Sequence, residues 1–182
     1  MATGVRKVVD NTDSLLDALM ALPKQEVLVG IPADKAPRTH EPGEPEMNNA
    51  EIAYVQNFGS PALNIPAREF MAPGIRNVKD QITKRMKAAG AAALEGKKQA
   101  MAQQLNAAGM IASSSIKKKI SEGPFQPLSD MTLRARARRG RKGAKEELAR
   151  RADGLPPSSE GAKPLIDTAQ MQKSITYVVR RK

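Results

Sequence analysis

The 182-residue chain contains no cysteine and no tryptophan, and its only aromatic rings besides one histidine belong to three phenylalanines and two tyrosines. The absence of cysteine excludes disulfide bonds. The scarcity of large aromatic groups predicts a thin hydrophobic core. We therefore expect the fold to need partners, either further copies of the chain or neighbouring proteins.

The chain also lacks the groups from which catalytic and metal centres are usually built. His40 is the only histidine, beside Glu41, and no cysteine or second histidine could complete a metal site with it. No nucleophile is paired with a base, and carboxylates cluster only in one acidic loop. We expect no catalytic residue, no metal and no cofactor, so the chain does not read as an enzyme.

Long apolar runs are missing as well. Asp10, Asp13 and Asp17 stand where a signal peptide would need an apolar stretch. No stretch approaches the roughly 20 apolar residues that a membrane-spanning helix requires. We expect a soluble protein made in a cytoplasm, with no membrane partner.

Positive charge is abundant but unevenly spread. The formal net charge is +11, composed chiefly of −6 over residues 10–51 and +15 over residues 52–182. A strongly basic chain favours an acidic partner, either nucleic acid or an acidic protein surface. The asymmetry also suits head-to-tail packing between copies, although two solvated faces would give the same pattern.

The first third of the chain predicts three short elements and one loop. Residues 10–22 are typical of an amphipathic helix, with an apolar face of Leu15, Leu16, Leu19, Met20 and Leu22. Residues 26–31 predict a strand that Pro32 ends. Residues 33–49 form an acidic, proline-rich loop, hereafter the acidic loop. Residues 50–57 predict a short helix.

Residues 58–74, hereafter the proline loop, organise the rest of the chain. They contain too much proline and glycine for a helix or a central strand, yet they hold two of the three phenylalanines. Apolar anchors on a proline-set turn predict an ordered loop rather than a linker. The predicted structural anchors are Phe58, Gly59, Ile65, Pro66, Arg68 and Phe70.

A helical pattern follows from Ile75 to Ile120, with apolar residues spaced three and four apart. The apolar stripe rotates between Ala93 and Met101, near Gly90 and Gly96. The pattern therefore predicts one long helix, bent at this point, or two helices.

Residues 121–163, hereafter the basic segment, predict an extended arm. Ser129 favours a short helix over residues 130–139, and residues 140–163 have the composition of a loop that is disordered or ordered by a partner. A basic run inside it predicts contact with DNA phosphates or with an acidic partner, without base stacking. The predicted contacts are Arg134, Arg136, Arg138, Arg139, Arg141 and Lys142.

Residues 174–179 predict a second strand, which we expect to pair antiparallel with residues 26–31. Together these patterns predict a single α+β domain over residues 1–182. Its small antiparallel sheet would pack against the long helix, accompanied by short helices and long extended loops.

Three strings carry a resemblance to a known family. Residues 58–73 read FGS…NIPAREFMAP, which resembles the "FG…IPARPF" signature of the tail-completion and head–tail joining proteins of tailed bacteriophages. Residues 127–133 and 163–175 resemble later strings of that family and follow in the same order. Two positions depart from the pattern: Glu69 replaces a frequent proline, and Ala169 replaces a frequent glycine.

The resemblance implies a structural protein of the virion, assembled in the host cytoplasm and located at the neck between head and tail. It implies a ring of copies around the DNA channel, expected to be a hexamer, with loops that order on contact. The expected neighbours are a head-side connector and the tail tube or terminator protein, with non-specific contact to DNA in the channel.

Two alternatives stay open at the level of sequence. Within the same structural class, a tail terminator or a minor tail protein would share such a small α+β body. From another class, a non-specific basic nucleic-acid-binding protein would account for the net charge and the arginine run.

Overall fold

The computed structural model describes Leu16, Met20, residues 25–42, residue 44 and residues 46–181. The predicted helix over residues 10–22 lies outside the described residues, except that Leu16 and Met20 are helical and exposed.

The described part of the chain is an α+β fold of seven α-helices and two strands, as the sequence predicts. In chain order they are β1 (Gln25–Gly30), α1 (Asn49–Phe58), α2 (Met71–Arg76), α3 (Lys79–Leu94), α4 (Lys98–Glu122), α5 (Asp130–Arg138), α6 (Lys142–Ala152), α7 (Gln170–Ser174) and β2 (Thr176–Arg181).

The two strands form the predicted antiparallel pair. Val27 lies opposite Val179, and Leu28 lies opposite Val178. Because side chains alternate across a strand, the valine pair faces the helices while Leu28 and Val178 are exposed on the other face. One face of the sheet therefore covers the core and the other faces solvent.

The long helical pattern is divided into two helices, which was one of the two predicted arrangements. The chain turns at residues 95–97, where Gly96 has φ +70. Arg85 Nη1 then donates to Gln104 Oε1 at 3.2 Å, so α3 and α4 run back along each other as a hairpin. Small buried side chains on α3, including Ala89 and Ala93, allow this close packing.

The main core lies between α4, α7 and the proline loop. It consists of Phe70, Ile116, Ile120, Leu165, Met171 and Ile175, all buried. These six side chains come from three distant parts of the sequence. The core therefore fixes the proline loop against the longest helix.

The basic segment differs from the predicted extended arm. Helices α5 and α6 pack together as a second hairpin, with a small core of Leu128, Leu133, Ala144 and Ala162. The predicted short helix after Ser129 is present, and the Ser129 hydroxyl caps it by accepting from Thr132 N at 3.3 Å. The sequence did not predict α6, because its few core-facing residues, alanine and leucine, are separated by many charged residues and give only a weak apolar pattern.

Ala169, one of the two departures from the family pattern, has φ +59 and ψ 7 immediately before α7. This left-handed conformation is strained for any residue with a Cβ. We expect Ala169→Gly to raise the free energy of unfolding by about 1 kcal/mol in urea denaturation. As a control, Ala102→Gly at an exposed position in the second turn of α4 should lower it by about 1 kcal/mol. Destabilisation by both variants would contradict the strain at Ala169.

Candidate interaction site

The proline loop is closed by its own backbone. Ser60 and Ile65 exchange two hydrogen bonds of 2.8 and 2.9 Å, on either side of a 3₁₀ turn at Pro61–Leu63. Gly59 has φ +78, and a Cβ there would lie 2.8 Å from Ala67 N. Only glycine fits here, because the backbone of Gly59 passes close to the backbone of Ala67. This close contact helps to order the loop.

Phe70 is the apolar anchor of the proline loop. Its side chain is 0% exposed at the centre of the main core. Asn57 holds the adjacent backbone, because its Oδ1 accepts from both Phe70 N and Met71 N at 3.1 Å. Asn57 was not identified from sequence, since its partners lie 13 and 14 residues away and no local pattern indicates the contact.

Arg68 is the polar anchor. Its side chain is buried at 6% exposure, and it donates from Nε to Gln126 O and from Nη1 to Gln56 Oε1, both at 3.2 Å. Among the described residues it forms no ion pair, and no hydrogen bond is found for Nη2. Burial lowers the pKa of its guanidinium. Arg68 thus ties the loop to residue 126 while its charge has no carboxylate counterpart in the described structure.

Phe58 has a different position from the other predicted anchors. Its ring is 64% exposed and packs against exposed Tyr54, with 4.9 Å between the ring centroids. Ile65 is part of the bridge that closes the loop, and Gly59 and Pro66 lie directly on either side of that closure. Phe58 therefore does not anchor the loop but presents an aromatic surface beside it.

A groove of about 910 Å³ separates the proline loop from the basic segment; we call it the proline-loop groove. Its walls include Ile65, Pro66, Pro127 and Leu128, and Arg68 is among its lining residues. Phe58 stands at one side. The groove combines apolar walls with an incompletely neutralised guanidinium, which suits a ligand that carries both apolar and acidic groups.

Three of the six basic residues predicted to contact DNA or a partner are used inside the fold instead. Arg136 is buried and donates to three backbone carbonyls, those of Lys163, Pro164 and Ile166, at 2.8–3.0 Å. Burial lowers the pKa of Arg136. Residues 163–166 lie outside any helix or strand, so the Arg136 guanidinium supplies hydrogen bonds that no helix or sheet provides to their carbonyl groups.

Arg139 and Arg141 join the same internal network. Both donate to the Asp167 carboxylate, at 2.6 and 2.7 Å, and Arg141 also forms a bidentate pair with Glu41 at 2.6 and 2.7 Å. A neighbouring pair joins Arg38 to Glu44 at 2.9 Å. The acidic loop is therefore bound to the turn between α5 and α6 of the same chain.

The other three predicted contacts are exposed: Arg134, Arg138 and Lys142. The prediction treated the run as one solvated surface, because the acids that neutralise half of it lie 26 to 100 residues away in sequence. Only this exposed half is placed to meet an external phosphate or carboxylate.

His40 is exposed at the surface. Among the described residues, no group of three or more histidine, cysteine, aspartate or glutamate side chains is arranged to hold a metal ion. Within that same part of the chain, no helix has the length and apolar character needed to cross a membrane.

Comparison of the chain with protein-family models, with curated proteins and with solved structures finds no significant match.

Proposed function

We propose that this protein is a structural component of a tailed-phage virion, which completes the tail or joins it to the head at the neck. In this role several copies would form a ring around the DNA channel, between a head-side connector and the tail tube or terminator. In this arrangement the surface grooves of each subunit receive neighbouring chains.

The observation that supports this proposal is the convergence of the three family-like strings. Phe70 from the first string shares one core with Leu165, Met171 and Ile175 from the third. The first and third strings thus contribute to one folded core, which supports treating the three matches as a single signal.

Two arginines connect the strings further. Arg68 in the first string donates to Gln126 O, immediately before the second string begins. Arg136, three residues after the second string, donates to carbonyls of the third. A buried guanidinium therefore links each string, or the chain beside it, to the next, which supports a structural role for Arg68.

Electron microscopy of particles from a phage carrying an early stop codon in this gene tests the proposal. We expect filled heads beside unattached tails of regular length. Restoration by the wild-type gene in trans is the control. Overlong tails would instead assign the protein as a tail terminator, whereas intact infectious virions would refute a role at the neck.

A non-specific nucleic-acid-binding role is the second candidate, supported by the exposed cations Arg134, Arg138 and Lys142. It predicts that the purified protein binds duplex DNA with an affinity that falls steeply with salt. Substitution of these three residues by glutamine should then weaken binding and reduce the salt dependence. Unchanged binding by the triple variant would show that these three residues do not form the DNA contact.

A further inference from the structure

Within the described part of the chain, the buried Arg68 that lines the proline-loop groove has no carboxylate partner. Arg68 is 6% exposed, and its two hydrogen bonds go to neutral oxygens of Gln126 and Gln56. A buried charge is normally paired, because desolvation disfavours an isolated ion. The nearby Arg151, by contrast, is neutralised by Glu147 and Asp130 at 2.8 and 2.6 Å. An incoming carboxylate would therefore gain more electrostatic stabilisation from pairing with Arg68 than from pairing with Arg151.

The sides of the groove carry an exposed apolar surface. Tyr54 and Phe58 pack against each other with their ring planes tilted by 51°, and both are about two-thirds exposed. Leu63 in the proline loop and Met131 in α5 are exposed as well, each adjacent in sequence to residues that line the groove. Aromatic and arginine side chains around one concave surface are the usual composition of a protein-binding site.

The acids of the acidic loop are poor candidates to neutralise Arg68. Glu41 is bound to Arg141, and Glu44 to Arg38, within the same chain. The N-terminal segment is different in composition: residues 10–22 contain three aspartates and no basic residue. They also contain five large apolar residues, Leu15, Leu16, Leu19, Met20 and Leu22. This segment therefore combines acidic groups that could pair with Arg68 and apolar groups that could cover the exposed apolar side chains of the groove.

Two residues of that segment are described. Leu16 is 48% exposed and Met20 is 62% exposed, and both are helical. Residues four apart lie on one face of a helix, so these two side chains are accessible together to a second molecule.

We propose that the proline-loop groove binds residues 10–22 of a second copy of this chain. An aspartate carboxylate of the segment would accept a hydrogen bond from Arg68 Nη2, and its leucine and methionine side chains would cover Phe58 and Leu63. The acidic end of one copy then meets the basic body of the next, which gives a head-to-tail contact.

This inference deepens the self-assembly included in the proposed function, and in that respect rests on it. It is tested in solution with the purified full-length chain, whereas the role at the neck is tested in phage particles. If the purified chain associates as described but virions stay intact without it, only the role at the neck is refuted. If loss of the protein leaves heads and tails unjoined but the groove variants do not weaken association, only this contact is refuted.

The first test is sedimentation equilibrium over a wide range of protein concentration. We expect reversible association, weakened at least about tenfold by Leu16→Ser with Met20→Ser, and equally by Phe58→Ser with Leu63→Ser. All four side chains are exposed, so the variants should fold, which circular dichroism checks. The matched control is Met110→Ser, which removes another exposed apolar side chain, on α4, and should leave association within about twofold of wild type.

The second test uses a labelled synthetic peptide of residues 10–22 and fluorescence anisotropy. The peptide should bind the Leu16→Ser, Met20→Ser chain, and should lose most binding to a chain that also carries Phe58→Ser and Leu63→Ser. A control peptide with its three aspartates replaced by asparagine should bind at least about tenfold more weakly, as loss of a charged partner for Arg68 requires.

Three results would overturn the proposal. A chain that stays monomeric at every concentration, with a peptide that competes only weakly, would mean that each segment occupies its own groove. Peptide binding that is unchanged by Phe58→Ser and Leu63→Ser would mean that the segment binds outside the groove. Displacement of the peptide by a duplex oligonucleotide at low concentration would make the groove a nucleic-acid site.

Discussion

Replacing Phe70 by alanine is expected to lower the free energy of unfolding by about 3–5 kcal/mol, the range for deleting a buried phenylalanine ring. Phe70 is fully buried and contributes to the same core as Ile116, Ile120 and Ile175. The ring also fixes the start of α2, whose first amides are held by Asn57.

The chain offers a matched control for this prediction. Phe58 lies in the same loop but is 64% exposed, so Phe58→Ala should change the free energy of unfolding by no more than about 0.5 kcal/mol. Urea denaturation followed by circular dichroism measures both variants. Equal losses in the two variants would show that Phe58 and Phe70 are buried alike, against the arrangement described here.

Replacing Asp167 by asparagine is expected to lower the free energy of unfolding by about 2–3 kcal/mol, somewhat below the range for breaking a fully buried pair. Its side chain is 17% exposed and lies among three guanidinium groups, those of Arg136, Arg139 and Arg141. Asparagine keeps the shape and one acceptor oxygen but leaves these cations without their shared countercharge. The acidic loop should loosen as well, because Arg141 joins it to Asp167.

The effect of this substitution should depend on pH in a defined direction. Burial alone would raise the pKa of Asp167, but the hydrogen bond from Arg141 and the charges of Arg136 and Arg139 outweigh it and lower the pKa below its usual 3.8. The carboxylate therefore stabilises the fold fully above pH 3.8, and this contribution is lost as the pH falls through the lowered value. The difference between wild type and Asp167→Asn should be constant near neutrality and shrink in acid.

Thermal unfolding at a series of pH values checks this second prediction. Glu95→Gln is the control, since Glu95 pairs with Lys97 at 2.6 Å but both side chains are more than half exposed. Solvent screens such a pair, so this variant should show no measurable loss and no added pH dependence. An Asp167→Asn variant that behaves like Glu95→Gln would mean that the arginine cluster does not need its carboxylate.

The parts of the fold that sequence predicted well are those decided by neighbouring residues. Runs of apolar, β-branched residues predicted both strands, and spacing of three and four predicted the helices on each side of Gly96. Ser129 was recognised as a cap because its partner, Thr132, is three residues away. Each of these elements is indicated by a local pattern, whereas the contact between the two strands joins opposite ends of the described chain.

The parts that sequence missed are decided by residues far apart. Arg141 looked like a solvated cation because its carboxylate partners are Glu41 and Asp167, 100 and 26 residues away. Phe58 and Phe70 were indistinguishable as anchors, since both flank the same prolines, and only packing against Ile116 selects Phe70. The sequence pattern of such a site identifies its residue types but not their orientation.

The pairing of β1 with β2 also determines when the sheet is able to form during synthesis. Gln25 lies opposite Arg181, so the first described strand pairs with the last, across almost the whole described chain. During synthesis β1 emerges early and must wait, with its backbone groups unpaired, until residues 176–181 have been translated. The α3–α4 hairpin, whose contacts are local, is able to form long before that moment. A chain whose synthesis ends before residue 176 would therefore have formed helices and an open strand edge, a state suited to aggregation rather than assembly.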